Sequence, residues 1–252
     1  MISTDLYAYL LYLADDVHVF GHRLGEWCGH GPTLEQDIAL TNLSLDHIGQ
    51  SRLFYQYAAN SEGNGQTEDS LAYLRDSSQY RNSLLAELPN GHFGTTITKL
   101  CLFSHFKFLQ YRSLCDSPDK TIAAIAEKSL KEINYHLKFS NSWVKRLGDG
   151  TRESHSRMIE SLKYLWPYTG EWFEKTGYER ALIEAGIISD PVSFQQEWTK
   201  NISAILSEAT LPVPSLSDWI QSGGKNGRHT EHLGHLLAEM QYLQRSYPGL
   251  TW

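Results

Sequence analysis

Apolar residues recur along this chain at spacings of three and four, and strand-like alternation is nearly absent. The first stripe is Leu6, Leu10, Leu13, Val17, Phe20 and Leu24, and it stops near Gly29 and Gly31. A second helix is predicted from Pro32-Thr33-Leu34-Glu35-Gln36 to about Asn60. There Thr33 is placed to cap free backbone N–H groups and Gln36 stands at the reciprocal position of a capping box. The run Ser61-Glu62-Gly63-Asn64-Gly65 breaks it. Short helical pieces are expected at 68–75 and 79–88, followed by the turn Pro89-Asn90-Gly91 and a long helix over 93–115. The next helix starts at Ser117-Pro118-Asp119 and ends at Gly148-Asp149-Gly150, with the stripe Leu130, Ile133, Leu137, Ser140, Val144, Leu147. Further helices are expected at 152–166, 169–176, 178–185, 191–209 and 230–246. Pro212, Pro214 and the connector Gly223-Gly224-Lys225-Asn226-Gly227 interrupt them. No repeat and no composition shift marks a linker. The pattern predicts one all-α domain over 1–252, with the four long helices as an antiparallel bundle of ferritin-like type and further helices after it.

Composition narrows the function classes. Lys and Arg total 22 against 29 Asp and Glu, a formal charge of -7 without a basic run, which argues against nucleic acid or an anionic membrane as partner. No apolar stretch approaches the ~18 residues of a membrane span. Asp5, Asp15 and Asp16 stand where a secretory signal would be basic and apolar. Cys28, Cys101 and Cys115 are far apart and form no CxxC pair, so reduced thiols in a cytoplasmic protein are expected.

A four-helix bundle raises one chemical test. A ferritin-like di-iron site takes a Glu from each of two helices and Glu-x-x-His from each of the other two. Carboxylates bridge and neutralise the two irons, and each iron takes an imidazole. In Asp46-His47-Ile48-Gly49-Gln50, His47 stands at the Glu position and Gln50 at the His position. In Lys131-Glu132-Ile133-Asn134-Tyr135-His136, His136 is kept and Ile133 replaces the Glu; Glu132 and His136 share a face at i, i+4, a different geometry. From Leu88 to Cys115 there is no Asp or Glu, and Lys99 and Lys107 are there instead. The reading is therefore no catalytic residue and no metal site, but degenerate positions His47, Gln50, Ile133 and His136. Asp46 or Glu132 is expected to be neutralised by Lys99 or Lys107, or by His47 or His136.

Three other features have two readings each. His229-Thr230-Glu231-His232-Leu233-Gly234-His235 is either a metal box or a helix start with Thr230 as cap. The stretch Gly223 to Arg228 is either a phosphate cradle or a plain connector. Seven tryptophans, among them Trp27, Trp143, Trp166 and Trp252, serve either the core or an interface, with Trp252 either a peripheral anchor or part of a tail packed on its own bundle.

The strings Arg23-Leu24-Gly25-Glu26-Trp27-Cys28-Gly29-His30, His229-Thr230-Glu231-His232-Leu233-Gly234 and Ala238-Glu239-Met240-Gln241-Tyr242-Leu243-Gln244-Arg245 carry a resemblance. With Leu130-Lys131-Glu132 and Tyr135-His136-Leu137, they resemble the C-subunit family of bacterial 1,2-phenylacetyl-CoA epoxidases, almost end to end. The resemblance implies a monooxygenase complex of aerobic phenylacetate breakdown. Its A subunit would hold the di-iron centre. A partner reductase would carry an iron–sulfur cluster and flavin and draw on NADPH. This chain would have no cofactor of its own and would act as the structural partner of A. Carried over by position, contacts with the acyl-CoA substrate near the A/C interface fall on Gln79, Tyr80, Arg81 and Asn82 and on Arg180, Ala181 and Leu182. The alternatives are an autonomous di-iron oxidase with atypical ligands and a helical binding protein.

Overall fold

The computed structural model describes residues 2–62, 65–214 and 220–250. Among them the regular elements are helices and no strand occurs. The α-helices are α1 (Ile2–Gly25), α2 (Leu34–Glu62), α3 (Glu68–Tyr73), α4 (Leu84–Glu87), α5 (Phe93–Leu114), α6 (Lys120–Gly148), α7 (Arg152–Leu165), α8 (Gly177–Glu184), α9 (Gln195–Glu208), α10 (Glu231–Met240) and α11 (Tyr242–Ser246). No described helix is long and apolar enough to cross a membrane.

The four long helices pack antiparallel. Asp15 meets Tyr55 and His18 meets Ser51 between α1 and α2. Phe93 meets Trp143 and His105 meets Asn141 between α5 and α6. Phe20 stacks on Phe103, 4.3 Å between ring centroids, joining α1 to α5. Gln50 meets Glu132 between α2 and α6. Each helix has the face its position demands. In α6 the buried residues Ile122, Ile125, Ala126, Ser129, Ile133, His136, Ser140 and Val144 recur at helical spacing, and Asp119 caps its N-terminus through Thr121 N and Ile122 N. Helix α5 is buried on every side from Gly94 to Lys107, which explains why it carries no carboxylate.

Several predicted elements are different. Residues 79–88 are not one helix: a 3₁₀ turn, Ser77–Gln79, is followed by extended backbone and then α4. The extended stretch bonds to α1, because Arg81 N donates to Asp15 Oδ2 and Ser83 N to Asp16 Oδ1, both at 2.8 Å. The piece expected at 169–176 is a 3₁₀ turn, Gly170–Phe173. The first turn at 191 is 3₁₀, and 230–246 is split into α10 and α11. Thr33 and Gln36 bond through their two side chains rather than as a capping box.

The glycine connector is a packed element. Gly224–Asn226 form a 3₁₀ turn in which Gly224 and Lys225 are buried, and a Cβ on Gly224 would come within 2.2 Å of the Asn82 carbonyl oxygen. Gly227 has φ +80, and a Cβ on it would come within 2.3 Å of Ser78 O. Glu171, fully buried, accepts from Leu84 N at 2.8 Å, Gly223 N at 2.9 Å and Lys225 N at 3.2 Å. A carboxylate of the chain itself therefore fills the anion-binding turn that the sequence suggests for a phosphate.

Trp166, Trp172 and Trp198 lie in the core, and Trp27 and Trp143 pack against it. Trp27 donates to Thr96 Oγ1 and Trp198 to the Leu102 carbonyl. Trp27 and Trp143 remain partly exposed, and Trp219 and Trp252, the latter the candidate peripheral anchor, lie outside the described residues.

Candidate functional site

The centre of the four long helices is built around an ion pair. Asp16 of α1 and Lys107 of α5 are both fully buried, with Nζ 2.7 Å from Oδ2. The ammonium also donates to Gln110 Oε1 at 2.9 Å and lies among the rings of Tyr12, Phe103, Phe106 and Tyr111, 5.2 to 5.9 Å from their centroids. Asp16 Oδ1 is held by Ser83, through N at 2.8 Å and Oγ at 2.5 Å. Burial lowers the pKa of Lys107, and Asp16 opposes that shift.

His47 of α2 and His136 of α6 complete the centre, their ring centroids 4.7 Å apart and both rings fully buried. His47 lies edge-on to Phe20 and Phe103, and neither of its nitrogens has a hydrogen-bond partner. Burial first, then the nearby His136 and Lys107, holds it well below the usual histidine range. His47 is therefore neutral at pH 7. His136 Nε2 lies 3.0 Å from Asp46 Oδ2, whose side chain reaches the edge of the bundle. Gln50 donates to Glu132 Oε2 at 2.8 Å and accepts from the Tyr111 hydroxyl at 3.2 Å. Burial raises the pKa of Glu132. Ile133 is fully buried among apolar side chains.

The expected pairing of Asp46 with His136 is present, and the expected lysine pairings are corrected. Lys107 pairs with Asp16, not with Asp46 or Glu132. Lys99 meets no carboxylate: its ammonium donates to the Leu88 carbonyl at 2.6 Å, and burial followed by the nearby Arg23 pushes its pKa down to about 7. Glu132 is matched by the neutral Gln50, and Asp46 by His136. Asp16 was legible as an acid inside the apolar stripe between Leu13 and Val17, a signal the ligand motifs drew attention away from.

The donor set does not fit two irons. Among the described residues, no group of three or more His, Cys, Asp and Glu is placed to hold a metal ion. The carboxylate nearest the centre already faces an ammonium, which repels a cation and takes the lone pairs a bridge would need.

The His229 box is polar packing. Glu87, fully buried, accepts from His229 Nδ1 at 2.7 Å, Thr230 N at 2.6 Å, Thr230 Oγ1 at 2.7 Å and Asn82 Nδ2 at 2.8 Å. His229 Nε2 points at the Tyr80 carbonyl at 2.9 Å. Both ring nitrogens face acceptors, so both carry protons. Burial alone would lower the pKa of His229, but the bond and charge of Glu87 outweigh it and the net shift is upward. A raised folded pKa gives stability that is full below the unfolded value of about 6.5 and is lost as pH rises through the folded value. The melting-midpoint advantage of the unaltered chain over His229→Gln is thus expected to shrink as pH rises from 6 to 9. An advantage that grows with pH would contradict the imidazolium assignment.

The two stretches assigned to acyl-CoA come together. The Arg81 guanidinium lies over the Tyr178 ring, 5.5 Å from its centroid, and Tyr178 is two residues from Arg180 on α8. Arg81 is half-buried with its Nε unpartnered, and Gln79 and Arg180 are exposed. Tyr80, Asn82 and Leu182 face the interior and Ala181 is half-buried, so those three interior side chains present nothing to a ligand outside.

The family described as "Phenylacetic acid catabolic protein" matches residues 2–252. The C subunit of the 1,2-phenylacetyl-CoA epoxidase of Escherichia coli (strain K12) is 46% identical over 248 residues, covering 98% of this chain and 99% of that protein. The chain belongs to the phenylacetic acid catabolic protein family.

Proposed function

We propose that this chain is a non-catalytic, structural subunit of a 1,2-phenylacetyl-CoA epoxidase in aerobic phenylacetate breakdown. It binds and supports the di-iron A subunit, and Arg81 and Arg180 border the acyl-CoA near the A/C interface. The observation that carries the reading is the Asp16–Lys107 pair in the middle of the bundle. A centre stabilised by an ammonium has no use for a second cation, so an autonomous di-iron oxidase is disfavoured. Arg81 and Arg180 supply fork-shaped cations suited to phosphate oxygens. Electrons, flavin, the iron–sulfur cluster and NADPH belong in this scheme to the partner reductase, in the cytoplasm.

The test is reconstitution. Phenylacetyl-CoA-dependent NADPH oxidation is expected from A, reductase and this chain together, and a large loss of it when this chain is left out. The chain purified alone from iron-replete cells is expected to hold no stoichiometric iron. Two irons per chain, or full activity of A and reductase without it, would defeat the proposal.

A further inference from the structure

Helix α2 has a second apolar face that its own chain leaves uncovered. Leu34, Ile38 and Leu45 are 72%, 52% and 63% exposed. At about 100° per residue they fall within about 40° of one another around the helix, and Gly49 continues the same line. Isolated exposed leucines need no explanation, but an aligned row along one long helix does.

Gly49 is the second, independent observation. It is exposed in the interior of a 29-residue helix, and a Cβ placed on it would meet nothing within 4 Å. Packing inside this chain therefore does not require glycine there, although glycine in a helix interior is less favourable than alanine. A glycine with open space above it lets another backbone come close. Glu35 and Asp46 lie to one side of the row and Asp37 to the other, so its borders are acidic, while the exposed Arg52, one turn past Gly49, closes the row with a basic end.

We propose that this face of α2, the row Leu34, Ile38, Leu45 and Gly49, receives a helix of the catalytic subunit, one with an apolar ridge and basic flanks. The identity of the occupant rests on the function proposed above. The shape rests on α2 itself: a straight ridge ending in a glycine fits a crossing helix better than a loop. The E. coli relative is named as one subunit of a multi-subunit enzyme, which favours a different chain over a second copy.

The experiment measures binding of the purified A subunit to three forms of this full-length chain. Ile38→Arg with Leu45→Arg, and separately Gly49→Leu, are expected to weaken the complex by 100-fold or more. Both sets of positions are exposed, so the free chain should keep its melting midpoint, and circular dichroism confirms it. Tyr247→Arg, on the exposed C-terminal patch, is the control and should bind as the unaltered chain does. A complex that survives both α2 variants overturns the surface while leaving the subunit reading intact. Loss on Tyr247→Arg alone moves the interface to the other patch and overturns it too. No complex with the unaltered chain would overturn both readings. A dimer of this chain that the α2 variants break, with A binding unaffected, would overturn the occupant.

Discussion

Lys107→Met is expected to destabilise the fold by about 3–5 kcal/mol, because it leaves the Asp16 carboxylate buried without its counter-charge. Lys99→Met is expected to leave stability near the parent value. Lys99 has no carboxylate to abandon, and the cost is one lost bond to the Leu88 carbonyl. Removing its buried ammonium compensates. Since burial holds the folded pKa of Lys99 near 7, below its ordinary value, the parent gains stability as pH rises from about 7 to 10 and the variant lacks that gain. Asp16→Asn combined with Lys107→Met should recover part of the loss, as asparagine still offers an oxygen to Ser83 without a charge. Urea denaturation of the four proteins at pH 7 decides the matter. Equal, small changes for Lys107→Met and Lys99→Met would remove the ion pair from any central role.

Glu171→Ala is expected to cost at least about 3 kcal/mol. Three backbone N–H groups, from Leu84, Gly223 and Lys225, lose their acceptor in a place water does not reach. Each buried unsatisfied donor costs about 1–3 kcal/mol. Glu171→Gln should fall between, because its amide offers one acceptor oxygen and turns two donor hydrogens toward the same N–H groups. Denaturation midpoints give the ranking, and amide exchange at Leu84 and Gly223 gives the location. An unchanged midpoint for Glu171→Ala would show that solvent satisfies the turn.

Helices α1 and α6 were legible from one long apolar stripe each, and α2 and α5 from the punctuation at their ends. Even the burial of α5 from Gly94 to Lys107 had a sign in its missing carboxylates. What the sequence hid are elements held by distant anions. Residues 80–83 have a helix-compatible composition, yet the N–H groups of Arg81 and Ser83 go to Asp15 and Asp16, some 65 residues earlier. The glycine turn likewise reads as a connector until Glu171 is placed inside it. The centre was half-legible. The ligand motifs drew attention to His47, Gln50 and Ile133, but pairing Lys107 required knowing which residue of α1 faces it. Periodicity gives the face of a helix and not its height against a neighbour.

The Asp16–Lys107 pair also bears on how the bundle closes. Helices α1 and α2 are sequence neighbours, as are α5 and α6, so each hairpin can assemble from nearby contacts. The charges that join the hairpins sit on opposite sides of that division. Neither leaves water at tolerable cost before the other arrives, so a half-docked arrangement gains apolar contact while stranding a carboxylate or an ammonium. The pair thus penalises partly closed bundles and mispaired hairpins, and it favours docking as a single cooperative step.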